Sequence, residues 1–110
     1  MTFKPHMQFM KVIDFNNKKK PFYAISYSLE ENHITGCPLP EDKDERLDEI
    51  YRRISPKLNG RKVEIDILKP SKDYIEAGLT NMSMGLKIHL KNKLERKFKK
   101  EGKNIEFNIK

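Results

Sequence analysis

The stretch HMQFMKVIDFNNKKKPFYAISYSL, residues 6–29, contains two segments in which apolar residues alternate with other residues. The apolar residues of one face are Met7, Phe9, Ile13 and Phe15 in the first segment and Tyr23, Ile25, Tyr27 and Leu29 in the second. A period of two is typical of β-strands that bury one face. Asn16 and Asn17 tolerate turn conformations, and Pro21 has no N–H to donate to a sheet. The stretch therefore predicts an antiparallel hairpin.

The turn of this hairpin carries three lysines, Lys18, Lys19 and Lys20. Lysines at an exposed turn can contact phosphate groups, and they also discourage unwanted pairing at a sheet edge. The simpler interpretation is that these lysines prevent other strands from pairing with the edge of the sheet. We retain the three lysines as candidate nucleic-acid contacts that would assist a second basic segment near the end of the chain.

Beyond the hairpin, the hydrophobic period first disappears and then changes. Residues 30–40 contain Gly36, Pro38 and Pro40, which predicts a surface connection. Residues 41–58 then show the spacing of three and four that is typical of an amphipathic α-helix. The apolar stripe of this predicted helix consists of Leu47, Ile50, Tyr51, Ile54 and Leu58. Acidic residues crowd its start and basic residues its end, as the helix macrodipole favours, and a proline should end it.

The remaining sequence predicts two strands, in residues 61–70 and 104–109, and a short helix in residues 71–79. Residues 82–90 alternate apolar and other side chains strictly, which predicts a strand. The alternative is one long helix over residues 71–100, in which Gly78 and Gly85 would each be less favourable than alanine by about 1 kcal/mol. Residues 91–101 are predicted to be helical in either case, with Gly102 as the cap.

These elements predict a single α+β domain that spans residues 1–110. We expect a mainly antiparallel sheet of four to five strands, with two or three helices packed on one face. With 36% hydrophobic residues and no tryptophan, the chain has little apolar material for a large ligand cavity, so we expect no cofactor. Glu64 and Asp66 share a strand face with lysines, as on an ordinary sheet surface, so we expect no metal. The single cysteine, Cys37, allows no intramolecular disulfide. The longest apolar run, residues 22–25, predicts no membrane segment, and we expect a cytoplasmic location.

Positive charge is concentrated near the C-terminal end of the sequence. The chain has a net charge of +7, and residues 80–110 contribute nine basic residues against three acidic residues. On the predicted helix, the candidate nucleic-acid contacts are Lys91, Lys93, Arg96, Lys97, Lys99 and Lys100. Lysine acts as a point charge, whereas arginine suits bidentate contacts to bases. The sequence therefore predicts non-specific contacts to the phosphate backbone of RNA or DNA.

Two alternatives to nucleic-acid binding stay open at this point. The first is a small protein-binding module or inhibitor, for which an acidic protein would be the partner. The second is a metal-independent ribonuclease, since His6, His33 and His89 are suitable acid–base groups. Their spacing does not predict that they come together, and each is interpreted as an ordinary exposed histidine. No catalytic residue is assigned, and enzymatic activity, the preference for RNA or DNA and the oligomeric state are left open.

Overall fold

The computed structural model describes residues 4–13, 21–30, 33–58 and 62–110. These residues form six β-strands and three α-helices, and a 3-10 turn at Ser55–Lys57 follows the first helix. In chain order, the elements are β1 (His6–Val12), β2 (Phe22–Ser28), β3 (Ile34–Pro38), α1 (Lys43–Ile54), β4 (Lys62–Ile67), α2 (Lys72–Glu76), β5 (Leu79–Asn81), α3 (Met84–Lys100) and β6 (Asn104–Ile109). The α+β class is therefore confirmed.

The predicted pairing of the first two strands is also confirmed. β1 and β2 are antiparallel, with Phe9 opposite Ile25 and His6 opposite Ser28. The segment that is predicted to be the turn between them, with Lys18, Lys19 and Lys20, lies outside the described residues.

The sheet as a whole is mixed, and the expectation of a mainly antiparallel sheet with four to five strands is wrong. The strand order is β3-β2-β1-β4-β6, and β5 pairs with β1. β4 runs parallel to β1 and to β6. Neither parallel pair joins strands that are consecutive in the chain: β2, β3 and α1 lie between β1 and β4, and α2, β5 and α3 lie between β4 and β6. Parallel neighbours need a longer connection of this kind, whereas antiparallel neighbours can be joined by a tight turn. The alternation within one strand carries no information about the direction of its neighbour.

β3 forms part of the segment that the sequence predicts to be a surface connection. It pairs antiparallel with β2, with Cys37 opposite Ile25, and the register shifts between Ile25 and Tyr27. Gly36 has a positive φ of 66°, and its N–H donates to Ser26 Oγ at 3.0 Å. The irregular register removes the alternation from the sequence, and the prediction for this segment is wrong for that reason.

α1 is confirmed as a helix and has a well-defined start. The side chain of Asp42 accepts hydrogen bonds from the N–H groups of Asp44 and Glu45, both at 3.0 Å. These bonds satisfy N–H groups that have no partner within the helix. The helix ends at Ile54, and Pro56 lies in the 3-10 turn that follows.

α3 corrects the predicted strand over residues 82–90. The side chains of Met84 and Ile88 are large, apolar and exposed, with relative exposures of 50% and 44%. Because these two exposed residues are apolar, the sequence shows an alternation of apolar and other residues that does not correspond to burial. The long-helix alternative is also wrong, because β5 separates α2 from α3 and Gly78 has a φ of 90°.

The predicted cap at Gly102 is confirmed. Gly102 has a φ of 78°, and its N–H donates to Lys99 O at 3.0 Å, while Lys103 N–H donates to Phe98 O at 3.1 Å. This pair of hydrogen bonds is a Schellman motif, which satisfies carbonyl groups at the end of the helix. The motif turns the chain directly into β6, where the predicted closing strand is confirmed.

The core lies between the sheet and two of the helices. Alternate residues of the strands face α1 and α3 and are buried with them: Met7, Phe9, Ile25, Tyr27, Ile65, Ile67, Ile105 and Phe107 from the sheet, and Ile50, Ile54, Leu90, Leu94 and Phe98 from the helices. We call this the helix side of the sheet. The residues between them, including His6, Ser28 and Asp66, face the opposite side, which we call the polar side.

Candidate nucleic-acid interface

α3 presents an apolar face to the sheet and cations to the solvent. Leu90, Leu94 and Phe98 are at most 2% exposed, and they anchor the helix to the core. The exposed cations are Lys93, Arg96, Lys99 and Lys100, which we call the basic helix face. The spacing of three and four from position 93 to 96 to 100 places three of them on one stripe, about 10 Å long.

No ion pair within 4.0 Å involves these four side chains among the residues that the structure describes. A charge that is exposed and forms no ion pair retains most of its attraction for a polyanion, apart from screening by salt. Among the described residues of α3, the basic helix face therefore contains the cations that are most accessible to a polyanion.

Two other predicted contacts are engaged in ion pairs within the protein. Lys97 Nζ lies 2.9 Å from Asp48 Oδ1 of α1 and 4.7 Å from the centroid of the Tyr51 ring. Lys91 Nζ lies 2.9 Å from Glu95 Oε2. Each of these cations is partly neutralised by its carboxylate, so we expect each to contribute less to a phosphate contact than a residue of the basic helix face.

Glu95 also fixes the position of α3 against the edge of the sheet. Its Oε2 accepts a hydrogen bond from the backbone N–H of Phe107 at 2.9 Å. This N–H belongs to β6, the last strand in the sheet order, and points away from β4. The carboxylate therefore satisfies an edge group that has no partner strand among the described residues, and it holds the basic helix at a defined position.

A shallow groove of about 360 Å³ lies between α3 and β6. Its lining includes Lys91, Glu95, Lys99, Lys103 and Glu106. Lys103 Nζ donates to Leu58 O at 3.3 Å, so this lysine is directed toward the end of the 3-10 turn. The groove is open and mostly polar, which suits a charged chain lying along it better than an enclosed apolar ligand.

Two groups near α3 have shifted pKa values, and burial is the main cause of both shifts. Lys87 is fully buried and donates to Asn81 Oδ1 at 2.9 Å, and burial, followed by the charge of Lys69, lowers the pKa of its amino group. Burial, with a further effect of Glu101, raises the pKa of Tyr51 to about 12. Both groups lie behind the basic helix face, so neither adds to the charge offered to solvent.

The three histidines do not form one cluster, but two of them are neighbours. The ring centroids of His6 and His33 are 6.5 Å apart. His89 lies on the exposed surface of α3. Spacing could not reveal the pair, because His6 is in β1 and His33 directly precedes β3, and the sheet brings these distant positions together. Within the described part of the chain, no group of three or more His, Cys, Asp or Glu residues has the arrangement of a metal site.

Comparisons with protein-family models, with curated proteins and with solved structures found no match to this chain. Among the described helices, none is both long and apolar enough to cross a membrane.

Proposed function

We propose that this protein binds RNA or DNA through non-specific contacts between phosphate groups and the basic helix face, and that it acts in the cytoplasm. The observation that carries the proposal is the separation of roles on α3. Its apolar residues hold the helix rigidly against the core, while Lys93, Arg96, Lys99 and Lys100 extend into solvent. A rigid row of cations loses little conformational entropy of the backbone when it binds a polyanion.

The physical mechanism is the release of counterions from the nucleic acid. Each cation that neutralises a phosphate displaces condensed ions, so the affinity falls steeply as salt rises. Three of the four residues are lysines, which contact phosphates as point charges and do not read base edges in a bidentate manner. We therefore expect little dependence on base sequence.

A charge-reversal variant tests the proposal. In this variant, Lys93, Arg96, Lys99 and Lys100 are all replaced by Glu, and Lys97 is left unchanged because it pairs with Asp48. The matched control replaces the exposed cations Lys11, Lys43, Lys62 and Lys72 by Glu, which changes the net charge by the same amount. Binding is measured by fluorescence anisotropy with labelled single- and double-stranded RNA and DNA, and circular dichroism verifies the fold of each variant.

We expect the reversed helix to lose binding and the control to retain most of the wild-type affinity at the same salt concentration. Equal losses in the two variants would mean that total charge matters and position does not, which would contradict the proposal. Retained affinity in the reversed helix would also contradict it.

A protein partner is the second candidate, and the exposed apolar residues of α3 favour it. Met84 and Ile88 are one helical turn apart and about half exposed, which makes them suitable anchors for a partner surface. The basic helix face would then contact acidic residues of that partner. A complex that survives raised salt in a pull-down, and that is lost in the double variant Met84→Ser and Ile88→Ser, would favour this function over nucleic-acid binding.

A further inference from the structure

The sheet brings two histidines together on its polar side. His6 is the first residue of β1, and its partner in β2 is Ser28. Tyr27 pairs with Ile34 in β3, and continuing that register places His33 beside Ser28. The two imidazole rings therefore belong to one row across β1, β2 and the residue that precedes β3, with the small side chain of Ser28 between them. Strands lie about 4.8 Å apart, so a larger side chain at the middle position would fill the space between the rings.

The geometry of this row suits two groups that act on one substrate. The ring centroids are 6.5 Å apart, and the ring planes are tilted by 30°. His6 is partly exposed and His33 is exposed, so solvent reaches both rings. Ser28, by contrast, is only 6% exposed.

A hydrogen bond determines which nitrogen of His6 can act as a base. His6 Nδ1 lies 3.1 Å from the carbonyl oxygen of Lys4. A carbonyl oxygen only accepts hydrogen bonds, so Nδ1 carries the proton and donates it. In the neutral ring, the lone pair is therefore on Nε2, the nitrogen at the far edge of the ring. This is the arrangement that a general base requires.

Charged side chains lie next to His6, on the side of β1 that faces β4. Asp66 of β4 is the partner of His6 in the sheet and is 8% exposed. Its Oδ2 lies 3.1 Å from Lys4 Nζ, and its Oδ1 lies 3.9 Å from Lys110 Nζ. The side chains of Lys4 and Lys110 are 57% and 54% exposed, so both ammonium groups face solvent. Asp66 partly neutralises them, and the two lysines with this carboxylate carry a net charge of +1. Cations at such a position stabilise the negative charge that develops on a phosphoryl group.

We propose that His6 and His33 form a general base and general acid that cleave single-stranded RNA. Nε2 of His6 accepts the proton of a ribose 2′-hydroxyl, and the 2′-oxygen attacks the adjacent phosphorus. The bond between phosphorus and the 5′-oxygen breaks, and the protonated ring of His33 donates its proton to that leaving oxygen. The products are a 2′,3′-cyclic phosphate and a 5′-hydroxyl, and exchange with solvent restores the two rings. Lys4 and Lys110 stabilise the charge of the five-coordinate phosphorus.

This activity goes beyond binding by the basic helix face and uses different residues. α3 packs on the helix side of the sheet, whereas His6, Asp66 and the two lysines lie on the polar side. Because the reaction needs a 2′-hydroxyl, it would act on RNA and leave DNA intact. The two proposals can therefore fail independently.

The test is a cleavage assay with a labelled RNA strand, performed in the presence of a metal chelator. The same sequence made with one ribonucleotide in a DNA strand locates the reaction, and an all-DNA strand serves as the inert substrate. The variants are His6→Ala, His33→Ala and His6→Asn, where the last retains a donor to the Lys4 carbonyl and so preserves the local structure. His89→Ala is the matched control, because His89 is an exposed histidine of α3 outside the row.

We expect the wild-type protein to produce 2′,3′-cyclic phosphate ends next to the single ribonucleotide. Each substitution of His6 or His33 should lower the rate by about 10²-fold or more, because general acid–base groups contribute 10²- to 10⁴-fold. His89→Ala should cleave at the wild-type rate. All variants should bind the all-DNA strand as tightly as the wild type does, which separates cleavage from binding. Intact RNA with the wild-type protein, or cleavage that is equal in wild type and the His6 and His33 variants, would overturn the proposal.

Discussion

The two sides of the sheet use charge in different ways. On the helix side, the strands present apolar residues, and the cations stand one layer further out, on the solvent surface of α3. On the polar side, the carboxylate of Asp66, with 8% exposure, lies on the sheet itself next to His6 and forms ion pairs with Lys4 and Lys110. The four cations of the basic helix face are thus equivalent and repeated, whereas the charged groups next to His6 on the polar side have individual partners.

This difference indicates two kinds of function. Repeated exposed cations suit a polyanion whose phosphates repeat as well, and the loss of any single cation should have a small effect. Side chains with individual partners suit chemistry at one atom, where the loss of one group should have a large effect. If α3 has these two layers, substitutions of its buried apolar residues should change the stability of the protein, and substitutions of its exposed cations should change binding only.

The largest expected effect is on the core layer of α3. Phe98 is fully buried, and its ring centroid lies 4.9 Å from that of Tyr51. Phe98→Ala should lower the free energy of unfolding by about 3–5 kcal/mol, because it removes buried apolar surface and leaves a cavity. Lys100→Ala, two residues away and exposed, should change it by no more than about 0.5 kcal/mol. Urea denaturation measures both free energies of unfolding. Similar changes in the two variants would contradict the division of α3 into a buried layer and an exposed layer.

The same layering explains which parts of the fold the sequence predicts. α1, β1, β2, β4 and β6 follow regular periods, because their apolar residues are the ones that face the core. In residues 84–90, apolar side chains are not always buried and charged side chains are not always exposed. Ile88 is apolar but 44% exposed, and Lys87 is charged but fully buried. The period of two that these residues show therefore did not reflect burial.

Pairing between distant strands was the second feature that the sequence did not contain. The parallel neighbours of β4 and the irregular β3 depend on crossovers and on a shifted register, neither of which leaves a local pattern. The proximity of His6 and His33 has the same origin. In contrast, the basic helix was predictable over residues 91–100, since Leu94 and Phe98 mark its buried face. Only the structure distinguishes Lys97, which pairs with Asp48, from the exposed cations beside it.

A smaller effect is expected at the contact between α3 and the sheet edge. Glu95→Ala removes the acceptor of the Phe107 N–H and the partner of Lys91. We expect a loss of about 1–3 kcal/mol in unfolding free energy, as for hydrogen bonds to charged groups. The control is Glu106→Ala, an exposed carboxylate on β6 that should change the stability by no more than about 0.5 kcal/mol. If the two variants are equally stable, Glu95 does not position the basic helix.

The smallest effect concerns an ion-pair cluster on α1 and depends on pH. Arg52, with a further contribution from Arg53, lowers the pKa of the Glu49 carboxyl below 4.5 through hydrogen bonds. The Glu49 carboxyl therefore binds fewer protons in the folded protein than in the unfolded chain. Its ion pairs stabilise the folded state fully above pH 4.5, and this stabilisation is lost as the pH falls through the pKa of Glu49 in the folded protein. Glu49→Gln should lower stability by less than about 1 kcal/mol at neutral pH.

The difference between Glu49→Gln and the wild type should vanish in acid, as measured by urea denaturation across pH. Glu41→Gln serves as the control, because Glu41 is exposed. A difference between Glu49→Gln and the wild type that persists unchanged at low pH would show that the carboxylate charge is not its cause.

The most direct test of the central claim is the salt dependence of wild-type binding to duplex DNA, measured by fluorescence anisotropy. If the four cations of the basic helix face each neutralise one phosphate, the logarithm of the binding constant should fall with the logarithm of salt concentration with a slope of about −3.6. The affinity should then decrease about 10²-fold between 50 and 200 mM salt. A slope near zero, or no binding at the lowest salt concentration, would contradict the account and leave α3 as a solvated helix.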